Sequence, residues 1–268
     1  MKLIRHLSPD GPAYAALQAD GSARAIEGDI FAAYRATDRV IVPGKRLAPV
    51  VPTAIICIGL NYAKHAAEGG KPLPERPMWF MKLPGTVQDP GEPICLPTRQ
   101  PSTKVDYEAE LAIVISRAAR NVSRAQARDY ILGYTCANDV SARDWQHPGM
   151  GGGQWCHAKS FDTFCPLGPV LVTPDELAAP NALHIRSILN GTVMQDSNTA
   201  DMVFDVPALI EFLSASKTLP AGTVILTGTP EGVGFARTPP VWLRSGDTIA
   251  IEIEGIGTLT NPVISEPI

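Results

Sequence analysis

The chain has 268 residues, 45% hydrophobic and 19% charged, enough for one large domain or a small domain followed by a larger one. Lys plus Arg number 23 and Asp plus Glu 27, a net charge of −4 with no basic run, which excludes a nucleic-acid binder needing a basic face. Cys57, Cys95, Cys136, Cys156 and Cys165 are odd in number, far apart and free of any Cys-x-x-Cys pair, which argues for reduced thiols and against a zinc cluster or disulfide framework.

The opening MKLIRHL reads as a strand and is too short an apolar stretch for a signal peptide. No later segment reaches membrane-spanning length, so a cytoplasmic protein is expected. AYAALQADGSARAI reads as a hairpin about Asp20-Gly21, and DIFAAYRA as a short helix. Residues 1–50 are thus expected to form a small N-terminal domain, joined by VPGKRLAPVVP to a larger unit over residues 51–268. That unit opens with a buried strand, TAIICIGL. VDYEAELAIVISR, ILGYTCAND, GPVLVT, TVILTG and the pairs ALHIRSILNGTVMQDSN and DTIAIEIEGIGTLTNPV add further strands. Asn190-Gly191 marks a tight hairpin. Two helices are expected, NVSRAQARDYI capped by Ser123, and FDVPALIEFLSAS with apolar residues at 206, 209, 210 and 213. Many strands without regular βα alternation exclude a Rossmann fold or a TIM barrel and predict a β-rich α+β fold.

Chemistry concentrates in four segments. Strand alternation puts Asp106, Glu108 and Glu110 on one face, with Glu108 and Glu110 about 7 Å apart at the backbone. Two carboxylates so spaced can converge on a hard cation, although a solvated edge strand would show the same pattern. A helical turn beginning at Asp139 would put Asp139, Arg143 and Gln146 on one face, completing a carboxylate triad and offering donors to an anion. Asp139 could equally serve only as a helix N-cap. His65 and Glu68, three apart on a short helix ended by Gly69-Gly70, have the arrangement of a general base on a lid, or of an ordinary surface pair. Gly151 to Gly153 lack phosphate-loop spacing and read as a mobile segment before His157-Ala158-Lys159. The turn Gly228-Thr229-Pro230-Glu231-Gly232 could bring backbone amides and the Thr229 hydroxyl to a ligand, or be no more than a tight turn.

In this order the motifs CIGLNYAKHAAEGG, FMKLPGTV, VDYEAELAIVI, GYTCANDVSARDWQ, KSFDTFCPLGP, LNGTVMQDSNTADMVF and LTGTPEGVG resemble the fumarylacetoacetate hydrolase family over roughly residues 55–262. The resemblance implies a mixed β-sandwich roll, usually a homodimer, that binds Mg²⁺ or Mn²⁺ through Glu108, Glu110 and Asp139. By the same resemblance His65 and Glu68 are the water-activating lid dyad, and Lys159 stabilises developing negative charge. Arg143, Gln146 and Thr229 match substrate-binding positions. The implied reaction is metal-dependent hydrolysis of a C–C bond in a β-diketo acid such as an acylpyruvate. Alternatives are a decarboxylase or lyase of an oxaloacetate-like 2-oxo acid, a ureidoglycolate lyase-like enzyme, or a catalytically silent metal-binding relative. His157-Ala158 stand where relatives often carry a glycine directly before the lysine, which leaves the substrate open.

Overall fold

A computed structural model describes residues 1–267. The opening strand, Lys2–Ser8, turns at Pro9-Asp10 into Gly11–Leu17, and a second hairpin about Asp20-Gly21 leads to Ala23–Gly28. The helix expected in DIFAAYRA is absent. Asp29 Oδ1 instead accepts from the Phe31 amide at 2.9 Å, so the side chain captures a donor that a helix would need. The chain then enters a strand, Tyr34–Ile41, whose pairing with Ala23–Gly28 satisfies its backbone.

These four antiparallel strands continue into the rest of the protein. Lys2 and Leu3 pair with Val172 and Leu171 of the strand Cys165–Val172, so the N-terminal strands extend a 12-stranded sheet. Beyond Cys165–Val172 the order runs Ile131–Asn138, Ala109–Ile115, Thr223–Leu226, Ala54–Gly59 and Met78–Lys82. Ala109–Ile115 therefore lies between two partners, and every residue in it is buried. The solvated-edge alternative for the acidic strand is thereby excluded. Alternation splits its apolar residues between two cores: Leu111, Ile113 and Ile115 in one, Ala112 and Val114 in the other.

A five-stranded sheet covers the first of these cores, contributing Ile185, Ile249, Ile251 and Leu259 beside Leu111 and Ile113. Its hairpin turns at Asn190 and Gly191 with φ of 51° and 81°, the two left-handed residues of a type I′ turn. The helix Val206–Ser214 forms as expected, with Asp205 accepting from the Ala208 amide and Val206, Leu209, Ile210 and Leu213 buried. The other expected helix winds as a 3₁₀ helix, Arg124–Tyr130, with Ser123 and Gln126 closing its start. The strand-rich layers match the expected β-rich α+β roll.

Candidate metal centre and cavity

The acidic strand does not run straight through its carboxylates. Val105–Asp106 pairs with Ser141–Ala142, and after a break at Tyr107 and Glu108 the chain rejoins the large sheet at Ala109. The break is held by side chain and backbone: the Glu108 amide donates to Asn138 Oδ1 at 3.0 Å, and its carbonyl accepts from the Asp139 amide at 2.9 Å. These bonds bring the ends of two neighbouring strands together. Glu108, Glu110 and Asp139 each offer an oxygen within 4.8 Å of the others, and all three are buried. The expected helical turn starting at Asp139 does not form. Asp139 follows the strand Ile131–Asn138, two residues then pair as a strand, and the helix spans only Arg143–Gln146. Asp139 is thus neither a helix cap nor on a helix face with Arg143.

Cations surround the acids. Lys159 Nζ donates to Glu108 Oε2 at 2.6 Å and to Asp139 Oδ2 at 2.7 Å. Lys82 Nζ donates to Asp139 Oδ1 at 2.6 Å and to the Val140 carbonyl at 3.2 Å. Arg143 Nη2 forms an ion pair with Glu108 Oε1 at 2.6 Å. Burial alone would raise the pKa of Glu108, but Lys159 and Arg143 overcome it and hold the carboxyl down at about 2. Burial would likewise deprotonate Lys159, and the carboxylates of Asp139 and Glu108 reverse that, so its ammonium is strengthened. Glu110 lacks such a partner. Its Oε2 accepts only from the Gly228 amide, at 2.7 Å, and burial, then Asp139 and Glu108, push its pKa well above the carboxylate range. Three converging carboxylates with one left short of positive charge form a donor set suited to a hard divalent cation.

Glu108 and Glu110 line a cavity of about 330 Å³. Its other polar lining is Arg143, Gln146, Lys159 and Thr229, and its apolar lining includes Ile58, Leu60, Phe80 and Trp155. The helix Ala63–Glu68 closes over it, with buried His65 facing in. His65 Nδ1 lies 3.2 Å from Glu68 Oε2, and Glu68 Oε1 accepts from the Gly232 amide at 2.9 Å. Burial would raise the Glu68 pKa, but the hydrogen bonds from His65 and Gly232 outweigh it and hold the carboxyl below its ordinary value.

Seven of the nine residues singled out in the sequence line this cavity, while Asp139 joins it through the two glutamates and Glu68 through His65. The Thr229 hydroxyl donates to the Ala109 carbonyl at 2.9 Å and accepts from Gln195 Nε2 at 2.8 Å, so its bonding is already taken by the protein. Gln146 Oε1 accepts from Arg143 Nη1 at 2.9 Å. Sequence reasoning assigned no role to Lys82, although a lone lysine alternating with Phe80 in the apolar strand Met78–Lys82 was a readable signal. It also passed over Gln195 and Asn138, which anchor the backbone of Ala109 and Glu108 and carry no local signal. The segment after Gln146 forms a short helix, Pro148–Gly151, ended by left-handed Gly152 and Gly153.

Residues 54–264 match the family model described as fumarylacetoacetate hydrolase, C-terminal. The chain belongs to the fumarylacetoacetate hydrolase family. Residues 1–47 match a second model, the N-terminal part of Rv2993c-like proteins. Protein Rv2993c of Mycobacterium tuberculosis is 44% identical over 273 residues, covering 98% of each chain. The mitochondrial oxaloacetate tautomerase fahd2 of Xenopus laevis is 48% identical over 219 residues, 81% of this chain and 68% of that protein. Among solved structures, 2-hydroxyhepta-2,4-diene-1,7-dioate isomerase from Mycobacterium marinum is 42% identical over the whole of both chains, with a TM-score of 0.85. The chain is therefore a member of an enzyme superfamily that includes proteins named as tautomerases and isomerases. No helix among the described residues is long and apolar enough to cross a membrane.

Proposed function

We propose that this protein is a divalent-metal-dependent enzyme that stabilises the enolate of a 2-oxo acid and, in doing so, hydrolyses a C–C bond of a β-diketo acid to pyruvate and a carboxylic acid. The observation that carries this is one cavity lined both by His65, which pairs with Glu68, and by Glu108 and Glu110 of the three-carboxylate cluster. Glu108, Glu110 and Asp139 would hold Mg²⁺ or Mn²⁺, which when bound supplies Lewis acidity to a carbonyl.

The remaining roles belong to the chain itself. Arg143 and Gln146 offer donors to the substrate carboxylate. His65 Nε2, with Nδ1 turned to Glu68, takes a proton from water, and that water attacks the distal carbonyl. As the C–C bond breaks, Lys159 Nζ stands beside the oxygen that gains negative charge. Protonation of the enolate carbon then gives pyruvate. Thr229 contributes through its backbone and through the hydroxyl that fixes Ala109, next to both glutamates.

A second reading has specific support, because similar proteins carry the name oxaloacetate tautomerase. Keto–enol exchange of oxaloacetate passes through its own enolate, and its decarboxylation releases CO₂ to leave the pyruvate enolate; neither needs an attacking water. Assays of an acylpyruvate and of enol-oxaloacetate, each with Mg²⁺ and with chelator, separate the two. Metal-dependent loss of diketone absorbance with pyruvate release supports hydrolysis. Metal-dependent loss of enol absorbance alone supports the second reading.

A further inference from the structure

Asp106 is a fully buried carboxylate to which the roles above give no part. It accepts from the Gly234 amide at 2.7 Å, the Phe235 amide at 3.1 Å, the Tyr107 amide at 2.9 Å and Arg143 Nε at 2.9 Å. One side chain thus joins Arg143 to the turn at residues 234–235. That turn sets the Phe235 ring 4.6 Å from the Arg143 guanidinium carbon and 6.2 Å from the His65 ring. Two residues earlier, Gly232 donates its amide to Glu68 and accepts from the Tyr107 hydroxyl at 3.2 Å. The fit leaves no spare room, since a Cβ on Gly234 would lie 2.5 Å from Asp106 Oδ1.

We propose that Asp106 is a positioning residue that aims Arg143 into the cavity and ties it to the seat of the His65–Glu68 lid. This rests on the assignment of Arg143 as a donor to the substrate carboxylate. The guanidinium is a planar fork, so fixing one edge fixes the direction of the other. Asp106 Oδ2 lies 2.9 Å from both Nε and Nη2, Gln146 holds Nη1, and Nη2 is shared with Glu108 Oε1 at 2.6 Å. Without the Asp106 charge, Glu108 is the one carboxylate still pairing with Arg143, and the guanidinium turns onto that glutamate and away from the substrate. The same loss frees the Gly234 and Phe235 amides, loosening the ring against which His65 rests.

Asp106→Asn keeps the shape but removes the charge and one acceptor. Expected are a rise of at least about tenfold in KM for the oxo acid and a smaller change in kcat. Hydrogen exchange at the amides of residues 232–235 should quicken by at least about tenfold without global unfolding. An unchanged KM overturns the proposal, as does a parallel fall in kcat, metal affinity and Tm with no change in KM. If Asp106→Asn does not fold, Phe235→Leu keeps every Asp106 hydrogen bond and removes the ring between Arg143 and His65. Its KM should also rise, and an unchanged KM there overturns the coupling. If the wild-type protein turns over no oxo acid, the proposed function fails, and the exchange rates still decide whether Asp106 ties the turn to Arg143.

Discussion

Lys159 Nζ lies 2.6 Å from Glu108 Oε2, with both side chains buried. The same ammonium reaches Asp139, so one charge serves two of the three carboxylates. Replacing it leaves Glu108 with Arg143 alone and Asp139 with Lys82 alone, and taking one cation from a buried cluster of anions destabilises more than the pair itself stabilises. Lys159→Met should therefore lower the stability of the metal-free protein by about 3 kcal/mol, with much of the loss recovered on adding Mg²⁺. Turnover should fall by at least about a hundredfold even with metal present. Thermal unfolding with and without Mg²⁺ checks the first part, and an unchanged Tm would contradict it.

Glu110 gives a pH dependence of definite sign. Its pKa in the folded, metal-free protein lies well above that of the unfolded chain, so the native state holds the proton more tightly. That contribution to stability is complete below the unfolded value and is lost as pH rises through the raised one. Binding a cation displaces the proton, so Mn²⁺ affinity should climb about tenfold per pH unit while Glu110 is still protonated. Glu108 has the opposite sign: with its carboxyl held at about 2, its contribution is present above the unfolded value and lost as pH falls toward 2. Calorimetric Mn²⁺ titrations in buffers of different pH test the first effect, and a flat affinity would count against it.

The lid pair should separate chemistry from metal binding. His65→Ala should abolish hydrolysis while Mn²⁺ still binds. Glu68→Gln should reduce turnover by about tenfold to a hundredfold, because it weakens both the imidazole orientation and the contact with Gly232. Glu68 is held below its ordinary pKa, so its docking persists above the unfolded value and is lost as acid protonates it through the lower one. An acid limb of the kcat/KM profile that disappears in Glu68→Gln is the expected signature. Full activity in His65→Ala would remove the proposed base.

Gly228 is a backbone test of the site. With φ of +96°, a Cβ there would meet Asn61 Cβ at 2.8 Å and the Ile58 carbonyl at 3.1 Å. Gly228→Ala should destabilise the fold by about 1–3 kcal/mol and displace the amide that Glu110 accepts from. Chemical denaturation measures the first effect and Mn²⁺ titration the second. Wild-type values in both would show that the turn tolerates a side chain.

The site was more legible in the sequence than its framework. Glu108 and Glu110 announce themselves because two charges interrupt an otherwise apolar strand, and His65 and Glu68 because they share a helical turn. The geometry of Asp139 was misread, since a local helix pattern could not reveal that Ser141–Ala142 would pair with Val105–Asp106. Residues 29–36 misled for a related reason: helix-favouring alanines were outweighed by an Asx turn and by pairing with a neighbouring strand. Lys82 reaches Asp139, 57 residues away, and Asp106 reaches Arg143 and Gly234, 37 and 128 residues away. Such long-range pairing is set by the order of strands in the sheet, which no local pattern encodes.

Joint binding of a divalent cation by Glu108, Glu110 and Asp139 can be read in a calorimetric titration of the metal-free protein with Mn²⁺. One site per chain is expected, abolished by Glu108→Ala and retained in His65→Ala. Binding of equal strength in Glu108→Ala, or no binding in the wild-type protein, would contradict it.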